Sequence, residues 1–215
     1  MEQQLDYDTM KFAAKGIASM GHPVRLRILE YLDVHGNSSV SAIAKGIDED
    51  QLFVSQSLKK LRDADLVKTE RKGIFIYYHL AGEYPASVFV CLRKLFGYMT
   101  DSFFFLKDGV KEMLPRDFTT LAANQIKLFA HVDKMRILEF LILAGKSCVS
   151  DIVEAVGIEQ VKVSQYLKRL RDDGFVSSER DGRFIYYEIT KGVHKTALQC
   201  IRHKFTEPEC PCEQV

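Results

Sequence analysis

The chain is written twice. Residues Met20–Leu80 and Phe129–Ile189 align without a gap at an offset of 109 positions, with 28 identities in 61. Self-similarity at a fixed offset means two copies of one structural unit, and it constrains the architecture before any local reading. The densest match is Gln51–Tyr78. Its Gln51, Val54-Ser55-Gln56, Leu58-Lys59, Leu61-Arg62-Asp63, Arg71 and Gly73 return as Gln160, Val163-Ser164-Gln165, Leu167-Lys168, Leu170-Arg171-Asp172, Arg180 and Gly182. In a chain of 215 residues this implies two domains of about 100 residues, each large enough for its own core.

Local patterns predict the elements of each copy. Tyr7–Ser19 has apolar residues at helical spacing (Phe12, Ile17), with Asp8 as its expected N-cap. A second helix starts at His22-Pro23, since proline suits a first helical turn whose N–H is unsatisfied anyway. Leu26, Leu29, Tyr31 and Leu32 should face inward, and Gly36-Asn37 should stop it. Ser38 or Ser39 caps a short third helix with Val40, Ile43 and Ala44 on its buried side. After a turn at Ile47–Asp50, a fourth helix runs over Gln51–Ala64, and its counterpart over Gln160–Asp173. Val54, Leu58 and Leu61 form one apolar stripe, as do Val163, Leu167 and Leu170. The opposite side holds Leu52, Gln56, Lys59, Lys60 and Asp63, and in the second copy Gln165, Lys168 and Arg169. Two short strands follow, Leu66–Glu70 and Ile74–Leu80, around a turn at Lys72-Gly73. Its counterpart Asp181-Gly182 is a strong two-residue hairpin signal. The arms Phe75-Ile76-Tyr77-Tyr78 and Phe184-Ile185-Tyr186-Tyr187 suit strands.

The predicted fold is thus mainly α with small β-hairpin wings: two tandem winged helix-turn-helix domains. The expected boundaries are residues 1–97 for the first domain, 98–116 for a helical, aromatic connector, 117–206 for the second domain and 207–215 for a cysteine-containing tail. Helical segments are expected after each wing, at Pro85–Phe96 and Val193–Phe205. The connector, with Phe103-Phe104-Phe105, is too apolar for a free linker.

The formal net charge is +1 at pH 7, so any basic surface must be local. Gln51–Lys72 has six basic and three acidic residues, and Gln160–Arg183 six basic and four acidic. The near-neutral total therefore hides two basic regions. No apolar leader and no long uncharged run is present, which argues against secretion or a membrane span and for the cytoplasm. Five cysteines form an odd, sparse set, as in a reducing compartment.

Arg25-Leu26-Arg27-Ile28-Leu29 after His22-Pro23, then Val54-Ser55-Gln56, Leu58-Lys59, Leu61-Arg62 and the Arg71-Lys72-Gly73 wing, resemble the ArsR/SmtB family of bacterial winged-helix repressors. Arg136-Ile137-Leu138 and Val163-Ser164-Gln165 with Leu167-Lys168 and Leu170-Arg171 carry the same resemblance in the second copy. The resemblance implies homodimeric binding of double-stranded DNA, with first and last helices at the dimer interface. With two copies on one polypeptide, it implies an intramolecular pseudo-dimer, and a further homodimer of two such chains is compatible with it. Ser57 and Tyr166 stand where the family usually has histidine.

For DNA reading, Gln56 and Gln165 suit adenine, while Lys59, Lys168 and Arg169 suit guanine or phosphate. Lys60 shares the outward side, Ser55 lies on its flank, and Gln51, Gln160, Lys162 and Ser164 are further candidates for DNA contact. Arg71, Lys72, Arg180 and Arg183 on the wings suit phosphate or minor-groove contacts that set register. The bland alternative is a solvated basic helix face. The copies differ at Phe53/Lys162, Ser57/Tyr166 and Lys72/Asp181, all off the apolar stripe, where recognition can change.

The family's metal positions hold Gly82, Tyr84, Lys191 and Val193, and its thiol pair is reduced to Cys148 in one copy and to none in the other. No metal or cofactor is therefore expected. Cys91 and Cys200 are repeat-equivalent and read either as small buried hydrophobes or as thiols paired across a pseudo-twofold axis. Cys210 and Cys212 in the tail read as incidental or as part of a thiol or soft-metal switch. His22 and His131 recur at a helix start, with no nucleophile or acid spaced for catalysis, so no enzyme is expected. The leading function is a sequence-specific transcriptional regulator, expected to act as a repressor. The alternatives are a winged-helix protein-interaction module and a thiol- or soft-metal-responsive sensor.

Overall fold

The structure, a computed structural model, describes residues 4–82, 85–90, 92–93, 112–128 and 130–190. The first series of elements is α1 (Tyr7–Met20), α2 (Pro23–His35), β1 (Ser38–Ser39), α3 (Val40–Ile47), α4 (Gln51–Asp63), β2 (Val67–Lys72) and β3 (Phe75–Leu80). The second is α5 (Arg116–Leu128), α6 (Val132–Ala144), β4 (Ser147–Cys148), α7 (Val149–Val156), α8 (Gln160–Asp172), β5 (Val176–Asp181) and β6 (Phe184–Ile189). Each element of the second series starts 109 residues after its counterpart. The expected class holds: mainly helical, with two small antiparallel sheets.

Local chemistry explains most of the boundaries. Asp6 rather than Asp8 caps α1, its carboxylate accepting from the Thr9 N–H at 2.9 Å and the Thr9 hydroxyl at 2.6 Å. Asp8 falls in the first turn instead, where a negative charge suits the helix dipole. Pro23 opens α2 after His22, and Gly36 closes it at φ 68°, a backbone value that favours glycine. Ser39 caps α3 by accepting from the Ala42 N–H, and Asp50 caps α4 by accepting from the Phe53 N–H at 2.9 Å. Phe12 is exposed and Ile17 buried, and Tyr31, expected inside, is half-buried and stacked on His35.

The wings differ from expectation in one respect. Lys72 pairs with Phe75 and Asp181 with Phe184, so the two-residue loops are Gly73-Ile74 and Gly182-Arg183, one residue later than predicted. Gly73 and Gly182 have φ of 64° and 58° at the first loop position, where a type II′ turn places its glycine. A turn centred on Lys72-Gly73 would force a lysine to positive φ, which a Cβ disfavours. The short strands β1 and β4, not foreseen, pair with β3 and β6 through Ser38↔Tyr78 and Ser147↔Tyr187. Each sheet therefore has three strands, in the orders β1-β3-β2 and β4-β6-β5.

Contacts group the chain into two compact units: Ala13–Ala130 in one, and Met1–Phe12 with His131–Val215 in the other. In the first unit Leu26, Ile28, Leu29, Ile43, Val54, Leu58 and Leu61 are fully buried. In the second, Ile137, Leu138, Ile152, Val163, Leu167, Leu170 and Phe175 are. Each such side chain contributes about 1.5–3 kcal/mol by leaving water, so the two apolar stripes read from sequence are the two cores.

A buried carboxylate in each unit receives a segment from the other repeat. Glu30 on α2 accepts the Leu114 N–H at 2.6 Å and pairs with Arg27 at 3.0 Å; the Arg27 guanidinium in turn donates to the Leu114 carbonyl at 2.6 Å. Both backbone groups of Leu114 are thus held just before α5, which packs on α2. Burial raises the Glu30 pKa, against the opposing pull of the Leu114 N–H and of Arg27. In the other unit Glu139, the repeat equivalent of Glu30, accepts the N–H of Leu5, the repeat equivalent of Leu114, at 2.9 Å. Arg136 lies over the Tyr7 ring.

Residues 85–90, 92 and 93 are helical, as expected after the first wing. Arg93 there is buried and pairs with Asp33 at 2.7 Å. Most of the predicted connector, the expected helix at Val193–Phe205, the tail, and Cys91, Cys200, Cys210 and Cys212 lie outside the described residues.

Candidate nucleic-acid interface

Burial divides α4 and α8 into an inner and an outer side. Val54, Leu58 and Leu61, and in the other unit Val163, Leu167 and Leu170, are fully buried. All fifteen residues singled out for DNA contact are exposed: Gln51, Ser55, Gln56, Lys59, Lys60, Arg71, Lys72, Gln160, Lys162, Ser164, Gln165, Lys168, Arg169, Arg180 and Arg183. In each unit the fold brings these groups onto two elements, a helix of 13 residues and a wing. Helix α4 carries Gln51, Ser55, Gln56, Lys59 and Lys60, while α8 carries Gln160, Lys162, Ser164, Gln165, Lys168 and Arg169. Their spacing follows from helical geometry: positions four and three apart stack along one face.

The wing cations are held rather than loose. Arg71 Nε donates to the Gly73 carbonyl at 3.1 Å, and Arg180 Nε to the Gly182 carbonyl at 3.1 Å. These equivalent bonds curl each arginine back over its own turn. Lys72 pairs with Glu70 at 3.2 Å, and Arg183 lies over the Phe184 ring. On α8, Arg169 bonds Asp173 at 3.0 Å and Lys162 lies 3.7 Å from Glu159. Lys59, Lys60 and Lys168 have no ion pair among the described residues. These pairs are largely solvent-exposed and worth at most about 1 kcal/mol, so a phosphate can replace the carboxylate.

The two outer surfaces are not equivalent. Leu52 and Phe53 stand exposed on the first turn of α4, and Ile74 at the wing tip is 84% exposed. At the matching positions the second unit has Val161, Lys162 and Arg183. Phe53 also meets His22, their ring centroids 6.0 Å apart. Burial, helped by the positive charges of Arg25, Lys60 and Lys127, holds His22 below the usual histidine range, and therefore neutral at pH 7.

One sequence difference leaves the interface altogether. Ser57 is buried and Tyr166 half-buried, so this position faces the unit's own interior. The Tyr166 hydroxyl donates to Asp133 at 3.3 Å and lies 3.4 Å from His131 Nε2. His131 Nδ1 accepts the Asp133 N–H at 3.2 Å, closing a small polar cluster at the start of α6. Burial and the Asp133 charge push the Tyr166 pKa up. The Ser57/Tyr166 difference therefore changes packing within each unit.

Leu52 stood out in the sequence only as an outward-facing position and Phe53 only as a difference between the copies, while Ile74, also exposed, was not singled out. The available signal was apolar side chains on the polar side of a helix wheel and at a turn. Cys148 is buried, its sulfur 3.6 Å from the Ser150 hydroxyl, and its N–H is accepted by Asp151, as a helix start requires. Among the described residues there is no cluster of three or more histidine, cysteine or acidic side chains that could hold a metal. No described helix is long and apolar enough to cross a membrane.

Residues 131–178 match the family model described as bacterial regulatory protein, arsR family, and residues 20–70 match a helix-turn-helix domain model. The chain is similar to the arsenical resistance operon repressor of Bacillus subtilis, with 31% identity over 91 residues, 40% of this chain and 87% of that protein. It is similar also to the nodulation protein NolR of Rhizobium meliloti, with 32% identity over 96 residues, 45% of this chain and 78% of that protein. Among solved structures, NolR from Sinorhizobium fredii has 31% identity with a TM-score of 0.40, covering 45% of this chain and 98% of its own.

Proposed function

The chain belongs to the arsR family of bacterial regulatory proteins, and from that premise we propose that one polypeptide supplies both of its DNA-reading heads. It is a DNA-binding transcriptional regulator. The relative from Bacillus subtilis is named a repressor, and repression by promoter occlusion is the activity proposed for this chain. Helix α4 reads one half-site and α8 the other in successive major grooves, about 34 Å apart on B-form DNA. Gln56 and Gln165 pair with adenine edges, Lys59, Lys168 and Arg169 take guanine or phosphate, and Arg71, Lys72, Arg180 and Arg183 fix the wings on the backbone.

The observation that carries this reading is the duplicated outer surface: two helices of equal length, 109 residues apart, with their apolar stripes buried and Gln-x-x-Lys exposed on each. The exchange of segments supports an intramolecular pseudo-dimer. Leu5 is held by Glu139 of the second repeat, and Leu114, just ahead of α5, by Glu30 of the first. The protein so proposed is not an enzyme and works in the cytoplasm, where bacterial DNA lies. Selection of operators from random double-stranded DNA tests the reading. A selected site should be lost on Lys59→Glu with Lys168→Glu, and its affinity should fall steeply with salt. Normal operator binding by that double variant would overturn it.

A further inference from the structure

Two large apolar side chains stand where a helix that reads polar base edges is expected to be polar. Leu52 is 68% exposed and Phe53 40% exposed, both on the first turn of α4. Single exposed apolar residues need no explanation. These two adjoin, however, on the end of the helix that enters a major groove first. At 100° per residue Leu52 heads the row of Gln56, Lys59 and Asp63, opposite buried Val54, Leu58 and Leu61. Phe53 heads the adjoining row, which runs to Lys60. Apolar contact in the major groove has one natural partner, the 5-methyl group of thymine.

We propose that Leu52 and Phe53 read thymine methyl groups, so that the first repeat selects a thymine-containing half-site that the second, with Lys162 in place of Phe53, does not. The inference rests on α4 lying in the major groove. Gln56, on the row of Leu52, suits the adenine paired with such a thymine, so one turn of helix addresses both bases of an A·T pair. Lys59 and Lys60 lie two turns further along the same rows and suit phosphates. His22, neutral and tilted against Phe53, puts no charge against the ring. In the second repeat, Val161 is a smaller apolar contact and Lys162 is a cation suited to guanine or phosphate. The two half-sites are therefore chemically different.

The test uses the full chain and its selected operator. Each thymine is replaced in turn by deoxyuridine, which removes the methyl and leaves every hydrogen-bonding group in place. Affinity for wild-type protein should fall about fourfold at one or two positions in one half-site, the effect of one buried methyl. Phe53→Ala should abolish sensitivity at the position facing Phe53, and Phe53→Lys should shift the bases selected in that half-site alone. A selected operator whose uracil replacements cost nothing, or whose first half-site lacks thymine, overturns the proposal and leaves the DNA-binding reading intact. Failure to select any operator overturns both.

Discussion

The outer surfaces of the two repeats carry different chemistry on the same frame. Inside, the copies agree: Val54, Leu58 and Leu61 and their counterparts Val163, Leu167 and Leu170 are all fully buried. Outside, Phe53 faces Lys162 across the alignment, Ile74 faces Arg183 and Lys72 faces Asp181. Core positions are constrained in both copies because each unit must bury one stripe to fold. Outer positions escape that constraint, and a single chain lets each evolve alone. A homodimer of identical chains presents two identical heads, whereas a tandem chain need not. The difference teaches that duplication preserves the scaffold while freeing the reader.

The largest effect should come from the buried clamp that both repeats share. Glu30→Ala removes the acceptor of the Leu114 N–H and the carboxylate paired with Arg27, and should cost about 3–5 kcal/mol, measured by thermal or urea unfolding. Glu139→Ala should act in the same direction, since Leu5 is held likewise. An unchanged transition midpoint for either variant would break the equivalence of the two clamps.

Next come the reading heads. Lys59→Ala and Lys168→Ala should each lower the salt slope of DNA affinity by about one, read from titrations at several ionic strengths. Unequal losses would sharpen the comparison by showing which head makes the firmer backbone contact; no loss from either would sink it.

A smaller asymmetry lies at the helix starts. Asp50 caps α4 through its side chain, whereas Glu159 makes no such bond to α8. Asp50→Ala should therefore destabilise by about 1 kcal/mol, and Glu159→Ala by a few tenths at most. Equal effects in unfolding titrations would contradict the difference in capping. Smallest is Tyr166→Phe, which removes the hydroxyl bond to Asp133. It should cost about 0.5–1 kcal/mol and leave the selected operator unchanged. An altered operator would return position 166 to the interface.

Much of this was legible in the sequence, and the misses have physical reasons. The helices announced themselves through apolar spacing and through His22-Pro23, Ser39 and Gly36 at their ends. The hairpin turn was misplaced by one residue because Asp181-Gly182 is itself a strong turn signal. The observed register instead puts glycine first and leaves Ile74 and Arg183 at ordinary φ. Strands of two residues, such as Ser38–Ser39, are too short to show alternation. The clamps escaped notice because their partners are the backbone groups of Leu5 and Leu114, which no side-chain pattern marks. On the proposed reading surface, the polar and basic residues marked by the helix wheel are exposed. Leu52 was placed outward and Phe53 marked as a difference between the copies, but neither was given a contact, and Ile74 was passed over, because exposure of an apolar residue depends on what packs nearby.

The central claim is that one chain provides both heads of one operator. The mass of the complex between the full chain and a complete operator duplex, measured in solution by sedimentation or light scattering, tests it most directly. One chain of 24.6 kDa per duplex is the predicted result. Two chains bound to each operator, with none bound singly at lower protein concentration, would contradict it.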